Sequence, residues 1–361
     1  MKPIHISATV QDSGKTAVSL GLMQVLRTRG LDPGYCKPVG QHYIRYDDSD
    51  IDEDAALVHQ YFNMPDKPCH MSPIAIRRGF TRDFINNPNV KPLEDEILRS
   101  IAAINKNHPM LIAEGTGHAG VGSCFGLSNA RVAQLIGAEV LIVTAGGIGR
   151  PMDELALNLA LFQKYDVNVM GVVLNKIRAD KYEKVTDTVT KGLKLMGTRL
   201  LGAMPYESWL ESYTVKQLAD ELKFDVYCGH DCLSNTIENT VIAAMEPEHV
   251  VKYIQDNTLI ITPGDRIDNM LVSLMLLSKH GPHNGGMILT GGFEPHKEII
   301  PFLQESHIPV LISDEDTFSV SAKLANIGFK IRPEDGPKID EMHELVEKYV
   351  EVDKILGYLE E

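Results

Sequence analysis

Lys15, Thr16, Lys37, Asp54, Glu114 and Asn175 bring cationic, hydroxyl, carboxylate and amide groups to the first half of the chain. Ammonium groups suit phosphate oxygens. A hydroxyl with two carboxylates suits a hard divalent cation, which takes oxygen ligands. A primary amide offers a base edge one donor and one acceptor face. The centre of the set is His5-Ile-Ser-Ala-Thr-Val-Gln-Asp-Ser-Gly-Lys-Thr16. It reads as a short strand, a tight loop, and Gly-Lys-Thr opening an amphipathic helix that continues through Leu26. In such a layout backbone N–H groups face an anion, the Lys reaches β/γ-phosphates and the Thr hydroxyl ligates Mg²⁺. The usual spacing puts Gly where this chain has Thr9, and the small residue stands one place earlier, at Ala8. The plainer alternative is a Ser/Thr-capped helix that carries a Lys.

Lys37, Glu114 and Asn175 each end an apolar run, and in open parallel sheets ligands sit at the carboxyl ends of the strands. Strands are predicted over 3–8, 34–38, 109–114, 140–144 and 167–174, with helices over 18–28, 130–136 and 153–164 between them. Lys37 closes the second strand, Glu114 the third, Thr144 and Gly146-Gly147 the fourth, and Asn175 the fifth. This alternation predicts an α/β fold whose first module, 1–205, is a doubly wound, mostly parallel sheet. A connecting segment follows over 206–240, with a helix over 215–222. A smaller α/β module takes 241–361, with strands over 258–262, 286–290 and 309–313, a helix after each, and a charged C-terminal helix over 339–359. The acid-rich stretch 43–54, with Asp47 to Asp54, and the polar stretch 77–89 read as loops or lids. Each site residue has an ordinary alternative: Lys37 as a surface cap, Glu114 as a loop carboxylate, Asp54 as part of a solvated face, Asn175 as a turn residue. His118, in a Gly-rich loop, is a candidate contact for substrate or phosphate. No Ser/His/Asp or Cys/His nucleophile arrangement stands out.

The net charge is −14. A chain of that sign has no bulk attraction for nucleic acid or an anionic membrane, so neither is expected as a partner. No apolar run reaches transmembrane length, and the N-terminus lacks a charged-then-apolar signal. The five cysteines stand at 36, 69, 124, 228 and 232, an odd, scattered set that fits a reducing cytoplasm. Cys228-Gly-His-Asp-Cys232 offers two thiols and a His, but no second ligand pair at recognisable spacing, and is read as a buried thiol pair.

Ala8–Thr16, Lys37-Pro38, Glu53-Asp54-Ala-Ala-Leu, Glu114-Gly-Thr-Gly and Leu174-Asn175-Lys176 together resemble dethiobiotin synthetase and the wider dethiobiotin/cobyrinate synthetase group of P-loop proteins. That group also has a small residue and Thr where this loop has Ala8-Thr9. The resemblance implies ATP and Mg²⁺ as cofactors and a P-loop NTPase sheet. It makes Thr9, Asp12, Ser13, Gly14, Lys15, Thr16, Asn175 and Pro205 nucleotide contacts, with Asn175 recognising adenine. Thr16, Asp54 and Glu114 become metal ligands, and Lys15 and Lys37 the catalytic cations. A homodimer would suit the group. The substrate-holding region after Lys37-Pro38 departs from the group: here it is Gly40-Gln-His-Tyr-Ile-Arg45, bulkier and charged.

In the second module Ile260-Ile-Thr-Pro-Gly264-Asp265-Arg266, Thr290-Gly291-Gly292 and Asp316-Thr317 resemble a DRTGG domain. The tandem resembles the part of long phosphate acetyltransferases that precedes their acyltransferase domain. Gly264, Asp265, Arg266, Thr290, Gly291 and Gly292 are the expected contacts for a small anionic regulatory ligand. The function expected from these readings is a regulatory or sensory ATP-binding protein that is not itself a phosphate acetyltransferase, because no acyltransferase residues follow Glu361. The alternative is an ATP-dependent ligase working through a phosphorylated intermediate. A membrane partitioning ATPase is a weaker reading, since the loop has no second Lys near its start and the tail is acidic.

Overall fold

The structure, a computed structural model, describes residues 1–46, 48–279, 284–328 and 330–360. Asp47 of the acid run and Glu361 lie outside the described residues. The chain divides into two compact units. The first is Met1–Tyr206 with Ile331–Glu361, the second Glu207–Lys330.

The first unit is built on six parallel strands: β1 (Ile4–Ala8), β2 (Gly34–Cys36), β3 (Leu111–His118), β4 (Glu139–Ala145), β5 (Val169–Ile177) and β6 (Leu200–Pro205). Their order across the sheet is β6-β5-β4-β1-β3-β2. β1 is buried along its whole length, and β4 and β5 are nearly so. That is why these strands read as continuous apolar runs rather than alternating ones. Chain order and spatial order part company at β1, which lies between β3 and β4. The reversal opens a crevice at the carboxyl ends of these strands. The first helix, α1 (Lys15–Thr28), follows β1 directly and buries Val18, Leu22, Val25 and Leu26. The strand β6 was not predicted. Its apolar run is interrupted by Gly202 and closed by Pro205, and it lies at the sheet edge.

The stretch 43–54, expected as a loop, forms a hairpin of Tyr43–Tyr46 against Ser49–Asp52, followed by α2 (Glu53–Tyr61). The hairpin's first strand is exposed, which explains its polar sequence. The polar stretch 77–89 holds a helix over Phe80–Asn86, whose Phe80 and Phe84 meet Phe125 edge-on.

The second unit is built on a five-stranded sheet: β7 (Asp225–Cys228), β8 (Asn239–Ile242), β9 (Thr258–Pro263), β10 (Gly286–Thr290) and β11 (Val310–Ile312). Their order is β7-β11-β10-β9-β8. β8 to β11 are parallel neighbours, and β7 joins β11 antiparallel as an edge. All of β7 and half of β8 fall in what was read as the connecting segment. Each is a short edge strand with exposed positions, so its apolar signal is weak.

The tail departs from its expected place and form. It groups with the first unit, not the second, and it is two helices, Gly336–Tyr349 and Val352–Glu360. The first lays Ile339, Met342, Leu345 and Val346 in the core and crosses α1 at Gly21. A Cβ at Gly21 would stand 2.4 Å from the Met342 carbonyl oxygen, so only glycine permits the approach. The break falls at Val350, which is extended and bridges Gly202 of β6.

His5, inside β1, is fully buried, and burial pushes its imidazole down from 6.5 to about 4. The folded state therefore holds it neutral where an unfolded chain would protonate it. Protonation favours unfolding, so this contribution is present above pH 6.5 and is lost as pH falls toward 4. Between neutral pH and about pH 5 the loss should be about 2 kcal/mol. Urea unfolding of wild type and His5→Leu at both pH values checks this: the wild type should lose more stability on acidification than the variant.

Candidate functional site

The carboxyl-end crevice of the first sheet gathers the side chains that the sequence singles out. Between β1 and α1 the loop turns through Gly14, whose φ of 92° lies in the left-handed region. A Cβ there would stand 2.0 Å from Asn175 Nδ2, so both the turn and the approach of β5 require glycine. Inside the loop the Ser13 hydroxyl donates to the Val10 carbonyl at 2.9 Å. Asp12, also at positive φ, is exposed. The helix has no side-chain cap, and its first internal bond runs from Val18 N–H to the Gly14 carbonyl. The N–H groups of Lys15, Thr16 and Ala17 therefore have no helical acceptor and point out of the helix start. With the helix dipole they make a place for an anion.

Lys15 is 9% exposed. Burial pulls its ammonium below the usual lysine range, and the negative charge of Glu114 opposes that pull. Beside it Thr16 Oγ1 donates to Glu114 Oε1 at 2.9 Å. The same carboxylate oxygen accepts from Lys37 Nζ at 2.9 Å, and Lys37 also bonds Asp54 Oδ2. Asp52 Oδ1 lies 3.9 Å from the same ammonium. Burial opposes the charge on Lys37, but Asp54, Glu114 and Asp52 outweigh it and hold the group charged well above the lysine range. The other oxygen of Glu114 accepts from the Tyr35 hydroxyl at 3.1 Å. Burial, helped by Glu114, raises the Tyr35 phenol well above its ordinary value, so it stays a donor.

This arrangement joins Thr16, Lys37, Asp54 and Glu114 in one bonded network, and Lys15 feels its charges without a bond to it. Asp52 and Tyr35 belong to it and were missed by the sequence reading. Asp52 had a signal: it caps α2 by accepting from Asp54 N–H, as an Asp before Glu-Asp and an apolar run should. Tyr35 had none, because its hydroxyl is hidden within a three-residue apolar strand.

The flanking residues hold the loop. Thr9 Oγ1 and Thr144 Oγ1 are 2.9 Å apart, linking the ends of β1 and β4. Asn175 Nδ2 donates to the Ser13 carbonyl at 3.1 Å, and its Oδ1 accepts from Lys176 N–H. Its established contact is thus with the loop. Pro205 ends β6 and pairs in register with Ile177 of β5, so it shares the rim of Asn175. His118 is exposed and turned onto its own loop, its Nδ1 accepting from Gly120 N–H at 3.2 Å. The donor set suits a nucleoside phosphate with a hard cation: oxygen ligands on three elements, a buried Lys, and helix-start N–H groups.

In the second unit Gly264 follows β9, and Thr290 ends the adjacent parallel strand β10 with Gly291 after it, so all three lie on one rim. Their polar groups are used internally. The N–H groups of Gly264, Gly291 and Gly292 donate to Thr290, Glu315 and Ser313 carbonyls. Arg266 makes a two-pronged pair with Asp268, both bonds 2.9 Å. A Cβ on Gly264 would stand 2.0 Å from the Phe293 carbonyl oxygen, so glycine here serves close packing of two loops. Asp265 is exposed.

Among curated proteins, a phosphate acetyltransferase of Nitratidesulfovibrio vulgaris is 27% identical over 96% of this chain and 50% of its own length. One of Synechocystis sp. is 23% identical over 99% of this chain and 51% of its own. The chain thus spans about half the length of the curated relatives it matches. These names overturn the expectation of a regulatory protein that is not itself a phosphate acetyltransferase, since relatives so named align along nearly all of the chain. That expectation leaned on the chain ending at Glu361, and a chain end says nothing about the reaction its domains serve. Among solved structures, MinD of Aquifex aeolicus has a TM-score of 0.36 at 14% identity, covering 57% of this chain and 83% of that one. A ParA family ATPase of Chlorobium tepidum has a TM-score of 0.35 at 15% identity, covering 57% and 86%. No described helix is long and apolar enough to cross a membrane. A DRTGG domain model matches residues 217–327. The AAA domain model AAA_26 matches residues 2–214, more than half of the chain, and the chain belongs to that family.

Proposed function

We propose that the chain serves phosphate acetyltransferase activity and brings to it a site for ATP with Mg²⁺. The observation that carries the nucleotide part is the buried network of Thr16, Glu114, Asp54 and Lys37 beside the uncapped start of α1. In this reading the N–H groups of Gly14 to Ala17 and the ammonium of Lys15 hold the phosphates. Thr16, Asp54 and Glu114 hold the cation, which supplies charge neutralisation at the phosphate oxygens. Lys37 stands ready for a terminal phosphate. Thr9, Asp12 and Ser13 shape the loop, and Pro205 borders the base side with Asn175. The acetyl-transfer part is supported by the relatives of that name.

Acetyl phosphate formation from acetyl-CoA and phosphate tests the larger reading. The native protein carrying this chain, recovered from its source through a tag on the chain, should show turnover that co-purifies with it. Turnover should change by about threefold or more when Mg·ATP is added, and Lys15→Ala should remove that response. Absence of acetyl phosphate formation from the recovered material would refute the acetyltransferase reading.

Nucleotide binding is tested separately by calorimetry. Lys15→Ala should weaken Mg·ATP binding by more than about tenfold, or roughly 1.4 kcal/mol. Equal affinity in variant and parent would mean that the phosphates lie elsewhere.

The base should be adenine. Asn175 uses one amide hydrogen on the loop, and a primary amide has a second hydrogen and a second acceptor lone pair. ATP should bind at least about tenfold more tightly than GTP, a difference of roughly 1.4 kcal/mol. In Asn175→Ala that preference should shrink. A variant that loses affinity for ATP and GTP equally would show Asn175 to be a brace for the loop and no reader of the base.

A further inference from the structure

The second unit carries a group of side chains that the nucleotide site does not use. We propose that Asp231, Cys232 and His307 form a site for a thiophilic divalent cation of the Zn²⁺ class, with water completing the coordination. This inference is independent of the nucleotide reading and goes beyond it.

The topology accounts for the juxtaposition. β7 is the antiparallel edge strand, and Cys228 at its end pairs with Val310 at the start of β11. Residues just after β7 must therefore lie beside residues just before β11. That brings the 229–232 turn against the 306–309 turn, although 75 residues separate Cys232 from His307. It also sets the group at the end of the sheet opposite to the rim of Gly264 and Thr290, because those residues stand at the carboxyl ends of parallel strands. The sequence shows Asp231 beside Cys232 and no further ligand at recognisable spacing; the fold supplies His307.

One ligand atom each from Asp231, Cys232 and His307 lies within 4.8 Å of the other two. His307 Nδ1 and Asp231 Oδ2 are 3.9 Å apart. Ligands around a tetrahedral Zn²⁺ stand about 3.3–3.8 Å from one another, given bond lengths of about 2.0–2.3 Å. Small side-chain rotations would close the difference. Thiolate, imidazole and carboxylate together favour Zn²⁺ over Mg²⁺ or Ca²⁺, which take all-oxygen sets.

Both turns are held in place. A Cβ on Gly229, at φ 75°, would stand 2.7 Å from the Ile308 carbonyl oxygen, which presses one turn onto the other. Cys232 N–H donates to the Gly229 carbonyl, and Asn235 N–H to the Cys232 carbonyl. Ser306 Oγ donates to the Leu303 carbonyl and accepts from Ile308 N–H. The cysteine is buried and anchors the group, while Asp231 and His307 are 74% and 67% exposed and leave it open to solvent. A cation there would tie the edge strand β7 to the turn that leads into β11.

The experiment uses the full chain without a metal-binding tag, stripped by chelator, loaded with Zn²⁺ and desalted. Wild type should retain about one equivalent of Zn²⁺, with a raised thermal midpoint, because a bound metal stabilises the folded state. Loading with Co²⁺ should give a thiolate-to-metal charge-transfer band in the near ultraviolet. Cys232→Ser should lose the band and weaken retention about tenfold or more. His307→Gly, which suits the exposed position and its φ of 54°, should weaken it to a similar degree, as should His307→Ala. Cys124→Ser, an exposed cysteine elsewhere, should behave as wild type. The proposal fails if wild type retains no metal, if Cys232→Ser and His307→Ala retain as much as wild type, or if the Co²⁺ form shows no thiolate band.

Discussion

The buried Lys37 ammonium is the constraint on which the first unit's site depends. Three carboxylates, Asp52, Asp54 and Glu114, converge on it, and the side chains of Lys37 and Glu114 are 5% and 0% exposed. Charges so far from water are tolerated only when paired and hydrogen-bonded, because the desolvation cost is several kcal/mol per ion. The network meets that condition with donors from Thr16 and Tyr35 as well as Lys37. Four pieces of chain must then keep their relative places: the start of α1, the end of β2, the start of α2 and the middle of β3. The acidic surplus around one lysine also makes the site receptive to a further cation, which is the property a metal–phosphate ligand requires.

Sheet order explains why these pieces meet. β1 is central, with β3 on one side and β4 on the other. The loop after β1 therefore opens where the chain's winding reverses, and Glu114 reaches it from the neighbouring strand. Asn175 reaches it from β5 through the space that Gly14 leaves by lacking a side chain. The second unit uses the same strand-to-glycine turn differently. There Gly264, Gly291 and Gly292 turn their N–H groups to carbonyls of their own unit. A glycine-rich turn after a strand is thus open to a ligand or closed by packing according to whether its N–H groups find partners at home.

Much of the first unit was legible because buried parallel strands are continuous apolar runs, and its polar ends stand out against them. Lys37, Glu114 and Asn175 are visible for that reason. Asp54 was harder to separate from the acid run around it, since a solvated acidic face and a metal-facing carboxylate look alike in one dimension. The helix cap at Asp52 is what divides them: it turns the chain so that Asp54 points at Lys37 while the preceding hairpin stays at the surface. Tyr35 was invisible, because an aromatic residue in an apolar strand shows no sign of what its hydroxyl will meet. The tail was misassigned for a related reason. Its apolar positions announce a helix but not a partner, and the partner, the bare backbone at Gly21, is a residue with no side chain to advertise itself.

Edge strands are where local pattern carries least. β6 contains a glycine and ends in proline, and β7 and β8 are four residues each with exposed positions. Each is defined by its neighbour rather than by its own composition. Pairing of β6 with β5 brings Pro205 to the rim of Asn175. Pairing of β7 with β11 brings the Cys228–Cys232 turn to His307. Had β7 joined β11 in the parallel sense, its carboxyl end would lie at the opposite rim, beside Gly291 and Gly292, and the cysteines would face a turn whose N–H groups are already spent. The direction of one short edge strand therefore decides which side chains can act together in the second unit, and direction is a property of the assembled sheet that no stretch of sequence states by itself.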